Sequence, residues 1–104
     1  GLWEHDVVEV FIQKESESNH YLELQVSPLS QKVALLIKRP REEFIELEEI
    51  KSKISAKVTG EGFSAEFIIN DSDIPGSGLL RGNFHACLGP GEKRCYFALN
   101  LNLV

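Results

Sequence analysis

The sequence predicts an all-β fold, an antiparallel β-sandwich of jelly-roll or immunoglobulin-like type. Two patterns carry this expectation. Apolar and polar residues alternate with a period of two in seven segments, as half-buried strands require. Turn signals separate those segments at spacings of roughly 8–12 residues, which suits a sandwich. The composition agrees: 104 residues with 42% apolar and 26% charged describe one globular domain with enough chain to bury a core.

The elements follow in order. Asp6-Val7-Val8-Glu9-Val10-Phe11-Ile12 is rich in β-branched residues and reads as the first strand. Val8, Val10 and Ile12 share one face, and Val7, Glu9 and Phe11 the other. The polar run from Lys14 to Asn19 is a turn. His20 to Val26 is the second strand, with Leu22, Leu24 and Val26 pointing inward and Tyr21, Glu23 and Gln25 on the opposite face. Lys32 to Lys38 is the third. Pro40 ends it, and residues 41–52 admit helix or loop, with a short helix expected there if anywhere. Ile54 to Thr59 and Phe63 to Ile69 flank Gly60-Glu61-Gly62 and form the best hairpin. Asn70 to Gly78 is a loop. Asn83 to Leu88 and Arg94 to Val104 are the last strands, joined through Gly89-Pro90-Gly91. The expected core is Val8, Val10, Ile12, Leu22, Leu24, Val26, Phe63, Phe67, Phe97, Leu99 and Leu101.

Sixteen acidic and 11 basic side chains give a formal charge of −5, which argues against a nucleic-acid backbone as partner. The longest apolar run is five residues, Val33 to Ile37. A spanning helix needs about 20, so no membrane partner is expected. No targeting signal is visible and the compartment stays open. Residues 1–52 carry 11 acids against 6 bases, while residues 53–104 carry 5 of each. The excess lies in Glu42 to Glu49, read first as a solvated connection and second as a cation or partner site. The chain has no Met and starts inside a patterned segment, so it reads as a fragment or processed chain. Strands lacking from the sandwich are expected to precede Gly1. Open sheet edges would alternatively pair with a second copy, giving a homo-oligomer.

The chemistry-bearing residues cluster early. Glu9 stands mid-strand between valines, and Glu23 and Gln25 stand mid-strand in the next element. If the two strands form a hairpin, these polar groups fall on one sheet face. Carboxylates and amides bind sugar hydroxyls, and aromatic rings stack on sugar C–H faces. The plainer alternative is an ordinary solvated face. Trp3, the one tryptophan, is either a core lid or a stacking platform. His5, His20 and His85 show no metal-ligand spacing, so no cofactor is expected, although an oxygen-rich Ca²⁺ site near His5 and Asp6 stays open. His85 with Cys87 lacks a third group to orient a nucleophile and base. Glu9 with Glu23 could in principle hydrolyse glycosides, but no apolar pocket is apparent to raise an acid's pKa, so an enzyme is not expected. Cys87 and Cys95 flank the Gly-Pro-Gly turn, with reduced thiols expected before a disulfide.

Trp3-Glu4-His5-Asp6-Val7-Val8-Glu9-Val10-Phe11-Ile12 and Tyr21-Leu22-Glu23-Leu24-Gln25-Val26-Ser27-Pro28 resemble family 9 carbohydrate-binding modules and their DOMON-like relatives. Leu80-Arg81-Gly82-Asn83-Phe84-His85-Ala86-Cys87 and Tyr96-Phe97-Ala98-Leu99 are similar to the same group. The resemblance spans nearly the whole chain and implies a non-catalytic saccharide-binding sandwich, of which residues 1–104 form one part of a longer family domain. It implies Trp3 as a stacking ring and Glu9, Glu23 and Gln25 as hydroxyl partners, with Arg81 and Asn83 as lesser candidates around Gly82. The second ring would be Tyr21, Tyr96 or a Phe. Haem-binding relatives use Met with His, an arrangement a chain without Met cannot form. The rival expectation is a structural or interaction sandwich whose polar face is plain surface.

Overall fold

The computed structural model describes residues 6–39, 42–60, 62–88 and 95–103, and of residues 59, 62, 87–88 and 95–103 the backbone alone. Among the described residues there are eight strands: β1 (Val7–Lys14), β2 (Tyr21–Val26), β3 (Lys32–Arg39), β4 (Glu43–Glu46), β5 (Lys53–Thr59), β6 (Gly62–Ile68), β7 (Leu80–Leu88) and β8 (Cys95–Leu103). They form two antiparallel sheets, one ordered β4-β3-β2-β1-β7-β8 and the other β5-β6. The all-β sandwich expected from alternation is the observed fold. The β1–β2 hairpin pairs Glu9 with Gln25, Val10 with Leu24 and Phe11 with Glu23. Paired residues in an antiparallel ladder share a face, so this register sorts apolar from polar side chains cleanly.

The core lies between the sheets. Val8, Ile12, Leu22, Leu24, Val26, Ala34 and Ala86 from the large sheet pack with Ile54 of β5 and Ile74. Leu22, Leu24 and Val26 are fully inaccessible. Three expected core residues, Val10, Phe63 and Phe67, are only partly buried. The two-stranded sheet is narrower than the six-stranded one it covers, so residues away from its centre keep some water contact. Phe97, Leu99 and Leu101 have side chains outside the described residues. The core also takes Ala34, Ile54, Ile74 and Ala86, which the sequence reading left out.

The expectation of a helix or loop over residues 41–52 holds as loop over residues 47–52 and is corrected at Glu43–Glu46 by β4, which pairs Phe44 with Ile37 and Ile45 with Leu36. A helix there would stack Glu42 over Glu46 and Glu46 over Glu49, like charges that destabilise a helical turn. An extended strand separates them, and Phe44 and Ile45 suit a pleated edge. The last hairpin also differs in extent, since β7 begins at Leu80, three residues earlier than the alternation indicates. Gly82 interrupts the side-chain pattern there while its backbone pairs with Ile12 and Leu101.

The far end is tied by polar contacts. A 3₁₀ turn covers Asp71–Asp73. The Asp73 carboxylate accepts from the Lys51 N–H at 3.0 Å, the Ser52 N–H at 2.6 Å and the Ser52 hydroxyl at 2.5 Å. The Ser52 hydroxyl oxygen in turn accepts from the Asn70 N–H at 2.8 Å. Partial burial pushes the Asp73 carboxyl up, but these bonds and the Lys51 charge outweigh it and hold the group below its ordinary value. Nearby, the buried Lys14 ammonium lies 2.9 Å from an Asp71 carboxylate oxygen. Gly76 and Gly78 adopt positive φ, +93° and +94°, where side chains are strained. A Cβ at Gly76 would meet Ser16 Oγ at 2.5 Å, so the loop lies directly against the β1–β2 turn.

Candidate functional site

The outer face of the large sheet carries the candidate site. Strands β2, β1 and β7 lie side by side, and their registers align the polar positions into rows. One row runs Val33, Gln25, Glu9, His85, Ala98. The next runs Leu35, Glu23, Phe11, Asn83, Asn100. Beyond it, Tyr21 lies opposite Ile37 and Arg81 opposite Gln13. The structure therefore places Glu9, Glu23, Gln25, Arg81 and Asn83 on one face. Trp3 lies outside the described residues.

Phe11 sits in the middle of this face. Its ring centroid is 6.1 Å from Tyr21 in a tilted arrangement and 6.0 Å from His85 edge-on. These separations are ordinary for favourable ring pairs. The three rings form a short apolar ridge flanked by the carboxylates. Among the polar groups, Glu23 is held by its neighbour on the same strand. The Gln25 side-chain amide donates to Glu23 Oε2 at 2.7 Å. Burial pushes the Glu23 carboxyl up, the Gln25 bond pulls it down, and the charge of Glu9 pushes it up again, leaving a net rise. Burial and the Glu23 charge likewise raise the Tyr21 phenol. Glu9 Oε2 lies 3.7 Å from His85 Nδ1, within ion-pair range when the imidazole is protonated.

This arrangement offers hydrogen-bond acceptors on carboxylates that are partly withdrawn from water. Such groups bind hydroxyl donors more strongly than fully hydrated carboxylates do. Gln25 and Asn83 add amide donors and acceptors, and the ring ridge supplies an apolar surface. His85 and Phe11 are members the sequence reading did not assign to the site. Alternation alone puts His85 on a face; only the β1–β7 register sets it opposite Glu9. The same register logic sets Cys87 opposite Tyr96 and Cys95 opposite Leu88, positions on opposite faces of the ladder, with both side chains outside the described residues.

Among the described residues, no group of three or more His, Cys, Asp or Glu is placed to hold a metal ion, and no helix is long and apolar enough to cross a membrane. A separate cleft of about 500 Å³ lies between β3 and β5, lined by Ala34, Leu47, Ile50 and Ile54 with Lys32, Glu48 and Lys53 at its rim. It contains none of the residues singled out for sugar contact.

The fold and the outer face together define a class: an antiparallel β-sandwich with a polar, ring-bearing sheet face. Comparisons with known proteins bear on the fold. No family model matches the chain. The chain is 29% identical over 99 residues, 95% of its length, to the UPF0462 protein C4orf33 homolog of Danio rerio. It superimposes on the crystal structure of a putative carbohydrate-binding protein from Bacteroides uniformis ATCC 8492 with a TM-score of 0.68, across 95% of this chain at 15% identity. At that identity the likeness shows the fold. The chain spans about half the length of each protein, 48% of the first and 53% of the second.

Proposed function

We propose that this protein is a non-catalytic carbohydrate-binding module of the family 9 and DOMON-like kind, which takes a saccharide on the outer face of β2, β1 and β7. In this reading Glu9, Glu23 and Gln25 bond to hydroxyls, Asn83 and Arg81 contact the ligand's margin, and Tyr21 and Phe11 meet its C–H surface. Trp3 is the further stacking ring proposed from sequence. The observation that carries the reading is the shared face: the strand registers gather two carboxylates and two side-chain amides around the Phe11 ring. The sandwich likeness to a protein described as carbohydrate-binding supports it. Glu23 has a raised pKa, as a glycosidase acid would. In this reading that shift marks a carboxylate partly withdrawn from water, where a sugar hydroxyl can meet it.

The test is thermal melting against a broad panel of mono- and disaccharides at about 10 mM. A ligand at ten times its dissociation constant stabilises the fold by about 1.4 kcal/mol, a shift of several degrees for a domain of this size. At least one sugar is expected to raise the melting temperature, and Glu23→Gln to remove that rise. A panel in which no sugar moves the transition overturns the reading at millimolar affinity.

A further inference from the structure

On the β1–β2 ladder, Glu9 lies opposite Gln25 and Phe11 lies opposite Glu23. The four side chains share the outer face and mark the corners of a square. The two carboxylates stand on one diagonal, and a ring and an amide stand on the other. Diagonal neighbours in an antiparallel ladder are about 7–8 Å apart, so a group placed over the square reaches both carboxylates at once. The Gln25 amide donates to Glu23 Oε2 at 2.7 Å, and the carbonyl oxygen of the same amide is a further acceptor. Three of the four corners therefore offer acceptors to one ligand group.

A hydroxyl brings one donor to such a place, whereas an ammonium brings three donors and a positive charge. The charges around the square favour the ammonium. The Glu9 side chain is 16% exposed, so solvent screens its charge less than that of a surface carboxylate. Burial pushes the Glu23 carboxyl up, and the Glu9 charge adds to that rise, a cost that an arriving cation relieves. Phe11, the remaining corner, is a ring, and ring faces attract cations. Two basic side chains stand nearby on β7. His85 Nδ1 is 3.7 Å from Glu9 Oε2, and an imidazole carries charge only when protonated. Arg81 is exposed and lies beyond Asn83, opposite Gln13. At the β4 margin, Arg39 lies 4.0 Å from Glu42 and 3.8 Å from Glu43, so that margin adds no net positive charge.

We propose, resting on the saccharide reading above, that the outer face selects amino sugars. The ligand's ammonium sits over the square of Glu9, Gln25, Glu23 and Phe11, and its hydroxyls reach the flanking polar groups. The same two carboxylates, on a chain of net charge −5, turn away sugars that carry a carboxylate of their own.

The test is calorimetry at neutral pH with glucosamine, galactosamine and mannosamine. Each is compared with its N-acetyl derivative, which keeps the nitrogen and removes its charge, with the parent hexose, and with the matching uronic acid. At least one amino sugar is expected to bind at least about tenfold more tightly than its N-acetyl derivative and its hexose, and the uronic acid to bind more weakly than the hexose. High salt should narrow these gaps. Cyclohexylamine, an ammonium without hydroxyls, should bind at least about tenfold more weakly than the best amino sugar. In Glu9→Gln, with folding checked by melting, the ratio of amino-sugar to hexose affinity should fall severalfold. The series on the unaltered protein decides by itself if that variant does not fold. Hexoses or uronic acids that bind as tightly as amino sugars overturn this inference and leave the saccharide reading standing. Equal binding of cyclohexylamine, or an unchanged ratio in folded Glu9→Gln, overturns it as well. A series in which no sugar binds at millimolar concentration overturns both.

Discussion

The two faces of β2 are one residue step apart and are built on opposite principles. Leu22, Leu24 and Val26 are fully buried against the second sheet. Tyr21, Glu23 and Gln25, interleaved with them, are only partly buried and hold polar atoms together on the outer side. The inner face stabilises by removing hydrocarbon from water, at about 25 cal/mol for each Å². The outer face does the reverse, because it withdraws a carboxylate from water beside a second carboxylate, which raises the Glu23 pKa. A fold seeking stability alone would place a neutral or fully hydrated side chain there. The contrast teaches that the anchored inner face lets the strand carry an unfavourable outer one, and strained polar groups of that kind accompany binding sites.

The largest expected effect breaks the inner face. Leu24→Ala should cost about 2–5 kcal/mol in chemical denaturation, through lost transfer energy and a cavity. A cost under about 1 kcal/mol would mean that Leu24 is not in a packed core.

Next comes the polar tie that fixes the second sheet's entry. Asp73→Ala leaves the Lys51 and Ser52 donors without their carboxylate and should cost about 1–3 kcal/mol. Its folded pKa is depressed, so its contribution is complete above the unfolded value, near the ordinary 3.8, and is lost as pH falls through the lower folded value. Denaturation midpoints of the wild type and Asp73→Ala should therefore converge as pH drops below that range. A constant gap down to the most acid pH would contradict the assignment.

A smaller effect, of opposite sign, sharpens the outer face. The Glu23 pKa is raised on folding, so its favourable contribution is present below the unfolded value, near the ordinary 4.5, and is lost as pH rises through the folded value. Glu23→Gln should thus leave stability at neutral pH unchanged or improved, within about 1 kcal/mol, and flatten the pH dependence through that window. Denaturant midpoints measured across it decide the point, and a large loss at neutral pH would mark Glu23 as a structural residue. The smallest effect is expected from Asn83→Ala, whose exposed side chain should change stability by no more than about 0.5 kcal/mol. Saccharide affinity should fall all the same, as read by calorimetry.

The inner face was legible in the sequence because Leu22, Leu24 and Val26 alternate with polar residues, and one period settles both faces at once. Glu9, Glu23 and Gln25 came with it. Arg81 and Asn83 rested on the resemblance around Gly82, and their positions beside Gln13 and Phe11 depend on a β1–β7 pairing far apart in sequence. His85 joins Glu9 through that same non-local register, which no local pattern encodes. β4 was hidden by its charge: five glutamates over residues 42–49 read as a solvated connection, and the strand-forming pair Phe44 and Ile45 is a run of only two, flanked by acids. The Asp73 tie was invisible because its donors are backbone N–H groups and one Ser hydroxyl, which carry no sequence signature of their partner.

The central claim is that the outer face of β2, β1 and β7 receives a ligand while the inner face only holds the fold. The most direct measurement is an amide chemical-shift titration of the labelled protein with a saccharide drawn from the melting panel. The account predicts saturable shifts centred on Glu9, Phe11, Glu23, Gln25 and Asn83, lost in Glu23→Gln while the rest of the spectrum is preserved. Shifts centred instead on the cleft between β3 and β5, or a response that Glu23→Gln leaves intact, would contradict it.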